Sequence, residues 1–179
     1  GLLVSLMLVS SAGSTLGSTG LDTLFFTRFG VQFLPYMYML LGVVTMGASL
    51  SLTAWLGRVS ARRFYLTLPL LLALLLLAFR LLLLLNLRPV YPVLWLGKEV
   101  VNTLLGFMVW GTAGLVCDAR QARRLFPLFG AGRILGSVLG GLATAGLVSL
   151  TGAENLTLIW GAAMLLSFWF SRSLLGSAV

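Results

Sequence analysis

Lys98 and Glu99 stand side by side in an apolar stretch, and Asn102 and Thr103 follow one helical turn later. Ionisable side chains at membrane depth are costly and face a bundle interior or a water-filled cavity, where they can contact a substrate or an ion. Neighbours on a helix point about 100° apart, so we expect Lys98 and Glu99 not to pair with each other. Each then needs a separate partner or a hydrated vestibule. The plainer alternative has Lys98 reaching the interface along its own stem and Glu99 meeting an arginine. Asp22 and Arg28 lie six residues apart near the end of another apolar run. They can pair locally or guard an entrance. Lys98, Glu99, Asn102, Asp22 and Arg28 are the candidate substrate-binding residues. Arg80 interrupts a leucine run, and its stem is long enough to carry the guanidinium to the headgroups.

Other chemistry is excluded by what is missing. The chain has no histidine, one cysteine and four acidic residues in all, so a zinc site of the usual Cys/His kind and an internal disulfide are both impossible. The acids are Asp22, Glu99, Asp118 and Glu154, which are too scattered to assemble a nucleophile–base–acid set. No GxxxxGK[ST] phosphate loop occurs. We expect no enzyme, no cofactor and no metal. We expect Cys117 to act as a small apolar residue at a helix end.

The elements that must position these residues are membrane helices. The chain is 59% hydrophobic and 9% charged, with mean hydropathy +1.06, whereas soluble domains carry about 25% charged residues. A span needs roughly 20 apolar residues, and six fit into 179. We predict an all-α membrane protein, a single bundle with helices over about 1–20, 36–56, 64–87, 93–117, 130–150 and 155–171. Residues 22–35, 57–63, 88–92, 118–129 and 151–154 become the connections. The third helix is so uniformly leucine that we expect it to face lipid. Tyr91, beside Pro89 and Pro92, is expected to anchor a membrane boundary. No basic leader precedes the first apolar run, so no signal peptide is expected. The abrupt start and finish suggest part of a longer polypeptide.

The net charge of +8 is not a nucleic-acid footprint, because no soluble basic face carries it. Gly57, Arg58, Arg62 and Arg63 form one basic connection, and Arg120, Arg123 and Arg124 another. We take these as gating or topology loops, the second also suited to phosphate or anionic lipid heads. With Arg133 and Arg172 they put eight positive charges on one side, against four in or near the other. The positive-inside rule then puts both termini and both basic loops in the cytoplasm. Gly132, Gly136 and Gly140 repeat at four-residue spacing, the small-xxx-small arrangement that lets two helix backbones pack closely.

Three stretches carry a resemblance. Val109 to Gly136, VWGTAGLVCDARQARRLFPLFGAGRILG, holds Trp110 and Gly111, then Gln121 where an acid is usual, then Ala122 to Gly130. It resembles a segment of the ATP/ADP antiporter branch of the major facilitator superfamily and its uncharacterised bacterial relatives. Asp22 to Leu40 looks like the first external turn and second helix of those relatives. Gly57, Arg58, Arg62 and Arg63 resemble the superfamily's loop between helices two and three, although Ala61 stands where that loop has aspartate. Glu99, eleven residues before Trp110, approximates a glutamate of the branch's fourth helix. The resemblance covers the amino-terminal six-helix half of a fold built from two bundles with the substrate between them.

It implies alternating-access secondary transport of an anionic or phosphorylated metabolite, with ATP/ADP exchange as the particular case. It also implies a bacterial inner membrane and a path lined by helices one, two, four and five, with three and six outside. The partners would be the lipid bilayer, a small anionic substrate, and a second six-helix bundle or other membrane subunits, with no nucleic acid. The alternative is a non-transporting membrane subunit that scaffolds a larger complex.

Overall fold

The computed structural model describes residues 2–117 and 119–176, with side chains for 2–117 and 123–174. Six helices, each long and apolar enough to cross a membrane, make an all-α bundle. They are α1 (Leu2–Arg28), α2 (Leu34–Leu56), α3 (Ala61–Leu84), α4 (Val90–Val116), α5 (Ala119–Thr151) and α6 (Leu156–Gly176). Short 3-10 turns at Val31–Phe33 and Ala153–Asn155 lead into α2 and α6. Gly30 and Gly152 make the sharp reversals at positive φ, +118° and +82°, which a residue without Cβ adopts without strain.

Five of the six helices are longer than the hydropathy pattern alone indicates, and the third is displaced, running Ala61–Leu84 where 64–87 is expected. Asp22 and Arg28 belong to α1, not to a turn after it. The predicted basic loop 118–129 is almost wholly helical, because α5 starts at Ala119 and carries Pro127 inside it. Arg62 and Arg63 occupy the first turn of α3, leaving Gly57 and Arg58 in the connection. Polar residues moved the predicted boundaries inward, yet a helix extending past the hydrocarbon satisfies its own backbone and can carry arginines into water. The α4 helix starts at Val90, and Tyr91 is buried with its hydroxyl donating to Asn86 Oδ1 at 2.8 Å. Its side chain therefore packs inside the bundle at the start of the span. The third helix also departs from expectation. Leu68, Leu72, Leu76, Phe79 and Leu83 form a buried stripe, while Leu70, Leu74, Leu77 and Leu81 face outward.

Helix α1 is the organising element, and four rows of residues on it do different work. Val4, Leu8 and Ala12 meet Gly132, Gly136 and Gly140 of α5 so closely that a Cβ on Gly136 or Gly140 would strike the α1 backbone. The pairing advances in the same direction on both helices, so α1 and α5 run parallel. Gly13, Gly17 and Gly20 meet Ala163, Trp160 and Leu156 of α6 in descending order, an antiparallel seam. Ser14, Ser18 and Asp22 face α4. The fourth row, Thr15, Thr19, Thr23 and Thr27, packs against no helix through its hydroxyls. Each donates to the carbonyl one turn back, at 2.7–2.9 Å. Helix α3 lies behind, against α6 and α4. Helix α2 is the least buried of the six and packs on α4.

Candidate functional site

The seam between α1 and α4 holds the densest polar cluster among the described residues. Lys98, only 4% exposed, is fixed by three groups. Its ammonium donates to Asp22 Oδ1 at 2.9 Å and to Glu99 Oε1 at 2.6 Å, and it lies 5.0 Å from the centre of the Trp95 ring. Trp95 Nε1 donates to the same Asp22 oxygen at 2.8 Å. One turn deeper, Asn102 Nδ2 donates to Ser18 Oγ at 3.1 Å, and Ser14 Oγ donates to Asn102 Oδ1 at 2.8 Å. Asp22, Lys98 and Glu99 are thus joined in one ionic group, and Asn102 joins Ser14 and Ser18 in a second group one turn along the same seam.

The pairing of Lys98 with Glu99 overturns the expectation that adjacent residues cannot meet. The 100° offset separates the Cβ atoms, but both side chains are long enough for their tips to meet at 2.6 Å. Arg28 stays out of the network. It is exposed at the end of α1, and Asp22 pairs with Lys98 instead. Arg80 meets Glu154 at 3.3 Å, tying α3 to the turn before α6.

Why the local sequence builds this network follows from helix periodicity. Ser14, Ser18 and Asp22 are spaced by four on α1; Trp95, Lys98 and Asn102 are spaced by three and four on α4. Each set therefore forms one stripe, and the two stripes face each other across an antiparallel crossing. Phe25, Met37 and Trp95 close the outer side of the cluster, with Tyr38 edge-on to Trp95 at 5.5 Å. Phe25 and Tyr38, missed in the sequence as site residues, pack on Trp95, whose ring faces the Lys98 ammonium. Their signal was the run of Phe25, Phe26 and Phe29 beside Asp22, which looks like ordinary apolar sequence until the partner helix is known.

An open flank adjoins the cluster. Because each residue turns about 100°, the threonine row of α1 lies between the row facing α4 and the row facing α5. Thr19 and Thr23 on that row are exposed. Helices α4 and α5, the walls on either side of it, touch at the end that bears Arg58, Arg62 and Arg63. There Trp110 and Phe126 lie 5.5 Å apart edge to face, and the Arg133 guanidinium sits 5.9 Å from the Trp110 ring. On the far flank of α5, Ile134, Leu135, Val138, Leu139 and Leu142 are exposed and wholly aliphatic. The bundle therefore has one polar, small-residue face and one greasy face.

The remaining candidates fall elsewhere. Gly57, Arg58, Arg62 and Arg63 sit at the α2–α3 junction, with all three arginines exposed. Arg123 and Arg124 are exposed in the first turns of α5; the Arg120 side chain and Asp118 lie outside the described residues. Gly132, Gly136 and Gly140 form the packing seam already described, and no group of three or more metal-ligating side chains occurs among the described residues. No protein-family model, curated protein or solved structure matches this chain.

Proposed function

We propose that this chain is one bundle of an alternating-access secondary transporter. The observation that carries the reading is the grouping of polar side chains on one open flank of α1 and α4. Thr19, Thr23, Glu99 and Asn102 all lie within helices long enough to span hydrocarbon, on the side where the walls separate. Polar groups at such depth are kept where they line a wet path or meet a partner. The glycine seams on the other sides of α1 let it stay packed while the flank stays open. That flank would form half a path, and a second bundle facing it would complete the enclosure, as the resemblance to the major facilitator superfamily implies.

In this proposal the arginine-rich ends of α3 and α5 lie on the cytoplasmic side of a bacterial inner membrane, following the positive-inside rule. The path would run between α1, α4 and α5, with α2 at the edge and α3 and α6 outside. The substrate would be an anionic or phosphorylated metabolite, with ATP/ADP exchange as the case the resemblance names. Arg133, at the closed end beside Trp110, is the cation such a substrate would meet. Transport needs no covalent step.

Uptake of labelled nucleotides by proteoliposomes holding the full-length protein tests this, with Lys98→Ala alongside. Saturable uptake that the variant loses supports the proposal; no uptake by the intact protein removes it. The exposed length of α2 favours a second reading, a scaffold subunit whose α2 is covered by another protein. That reading predicts loss of partner proteins from the membrane when the chain is deleted, with no uptake by the purified protein.

A further inference from the structure

A groove runs along the outer surface of the bundle between α3 and α6. Small residues make its floor, Ala73 on α3 with Gly161 and Ala162 on α6. Its walls are Leu74, Leu77, Leu158 and Leu165, each 44–63% exposed. The one hydroxyl among the lining residues, that of the buried Thr157, already donates to the Glu154 carbonyl at 2.8 Å. The groove leads to a charge pair. Ala73, Leu77 and Arg80 follow at spacings of four and three on α3, and Glu154, Leu158, Gly161 and Leu165 at four, three and four toward and along α6. Each charged residue therefore continues the stripe that lines the groove. Glu154 fixes the level of the pair, in the turn that leads into α6.

Dimensions select the occupant. The lining residues extend about 11 Å along the helices at 1.5 Å per residue, so a volume of about 430 Å³ gives a mean cross-section of about 40 Å². A helix is about 10 Å across and needs roughly 80 Å², which is too wide, whereas one hydrocarbon chain fits. From Arg80 back to Leu70, the far end of the α3 wall, is about 15 Å. Half of a hydrocarbon core roughly 30 Å thick is the same length. The groove thus begins at the level of the headgroups and stops near the midplane, the reach of one acyl chain in one leaflet.

The pair selects the headgroup. Arg80 Nη1 donates to Glu154 Oε2 at 3.3 Å, a contact that uses one of five guanidinium donors and one of two carboxylate oxygens. The two side chains are 19% and 44% exposed, so both can be reached from the lipid side. Phosphate oxygens match the guanidinium fork, and a primary ammonium, with three N–H donors, matches the second carboxylate oxygen. A choline headgroup has no N–H to donate, and a glycerol headgroup brings an uncompensated negative charge beside Glu154. We propose that the α3–α6 groove binds one ethanolamine phospholipid, with an acyl chain along the groove, its phosphate on Arg80 and its ammonium on Glu154. The lipid's two charges then lie opposite the protein's two, and the group stays neutral. The proposal stands apart from transport, because it concerns the outer surface of α3 and α6.

The test is native mass spectrometry of the full-length protein, delipidated in detergent and titrated with phosphatidylethanolamine, phosphatidylcholine or phosphatidylglycerol of identical chains. Wild type is expected to hold one phosphatidylethanolamine at least about tenfold more tightly than either of the others, a difference of 1.4 kcal/mol. Arg80→Gln and Glu154→Gln should erase that preference, and both should fold, because partly exposed ion pairs contribute little to stability. Ala162→Phe, at an exposed position, fills the groove and should weaken all three lipids alike. Equal affinity for the three lipids, or a preference that survives all three substitutions, would remove the site. A lipid-free dimer in place of the lipid adduct would give the groove to a second copy of the chain and overturn the proposal as well. Selective phosphatidylethanolamine binding without nucleotide uptake would keep the site and remove only the transport reading.

Discussion

Two seams of the same helix are built on opposite principles. Where α1 meets α5 and α6, side chains have been removed: Gly132, Gly136 and Gly140 on one partner, Gly13, Gly17 and Gly20 on α1 itself. Where α1 meets α4, polar side chains have been added, from Ser14 through Asp22 on one side and Trp95 through Asn102 on the other. Lipid tails are as apolar as leucine, so burial from water cannot drive helices together inside a bilayer. Close backbone contact supplies dispersion in the first seam, and hydrogen bonds with charge supply attraction in the second. The first kind of contact is insensitive to ions, whereas salt screens the exposed part of the ion pairs in the second.

The comparison can be broken most severely at the glycine seam. Gly136→Leu would drive a side chain into the Leu8 carbonyl of α1, where backbone cannot yield. Overpacking costs typically about 1–3 kcal/mol, and occasionally more, so we expect loss of folded protein in detergent. Gly141→Leu, with open space around it, should be tolerated. Equal yields of folded protein, seen by size-exclusion profile, would contradict the close α1–α5 seam.

The polar seam should break less completely. Lys98→Met leaves two carboxylates without their ammonium. Removing one partner of a buried pair costs about 3–5 kcal/mol, reduced here because both carboxylates are about one-third exposed and water screens them. We expect roughly 2 kcal/mol of destabilisation in chemical unfolding at low salt, shrinking as cations are added. Asn102→Ala removes the bridge between Ser14 and Ser18 and should cost about 1 kcal/mol. The smallest effect should come from Arg80→Ala. Its partner Glu154 is 44% exposed, and such pairs contribute about 0–1 kcal/mol. An effect of Arg80→Ala larger than that of Lys98→Met would invert the ranking of the two ionic contacts.

Much of the fold was legible because a membrane leaves few alternatives. Every buried backbone group must be satisfied, so runs such as 64–84 and 156–171 could only be helices. The glycine ladder of α5 announced a close crossing through its spacing alone. The helix ends were less legible, since Arg123, Arg124, Asp22 and Arg28 are polar yet helical, and hydropathy measures immersion, not hydrogen bonding. The site was half legible. Lys98, Glu99, Asn102 and Asp22 stand out as polar residues in apolar sequence, but that Asp22 closes on Lys98 depends on which faces α1 and α4 turn to each other. Nothing in one strand of sequence fixes that register. The same gap hid Trp95 and Tyr38, whose roles exist only after the helices have crossed.

The central claim is that the bundle keeps one flank of α1 wet inside the membrane and seals the others. Single cysteines answer it directly, introduced in a Cys117→Ser background at Thr19, Thr23, Ser10 and Val138 of the full-length protein. A membrane-impermeant maleimide is then applied to proteoliposomes from either side. Thr19→Cys and Thr23→Cys should label rapidly, while Ser10→Cys, buried inside the bundle, and Val138→Cys, on the aliphatic flank of α5, should not. Labelling at Val138 with none at the threonine positions would contradict the account.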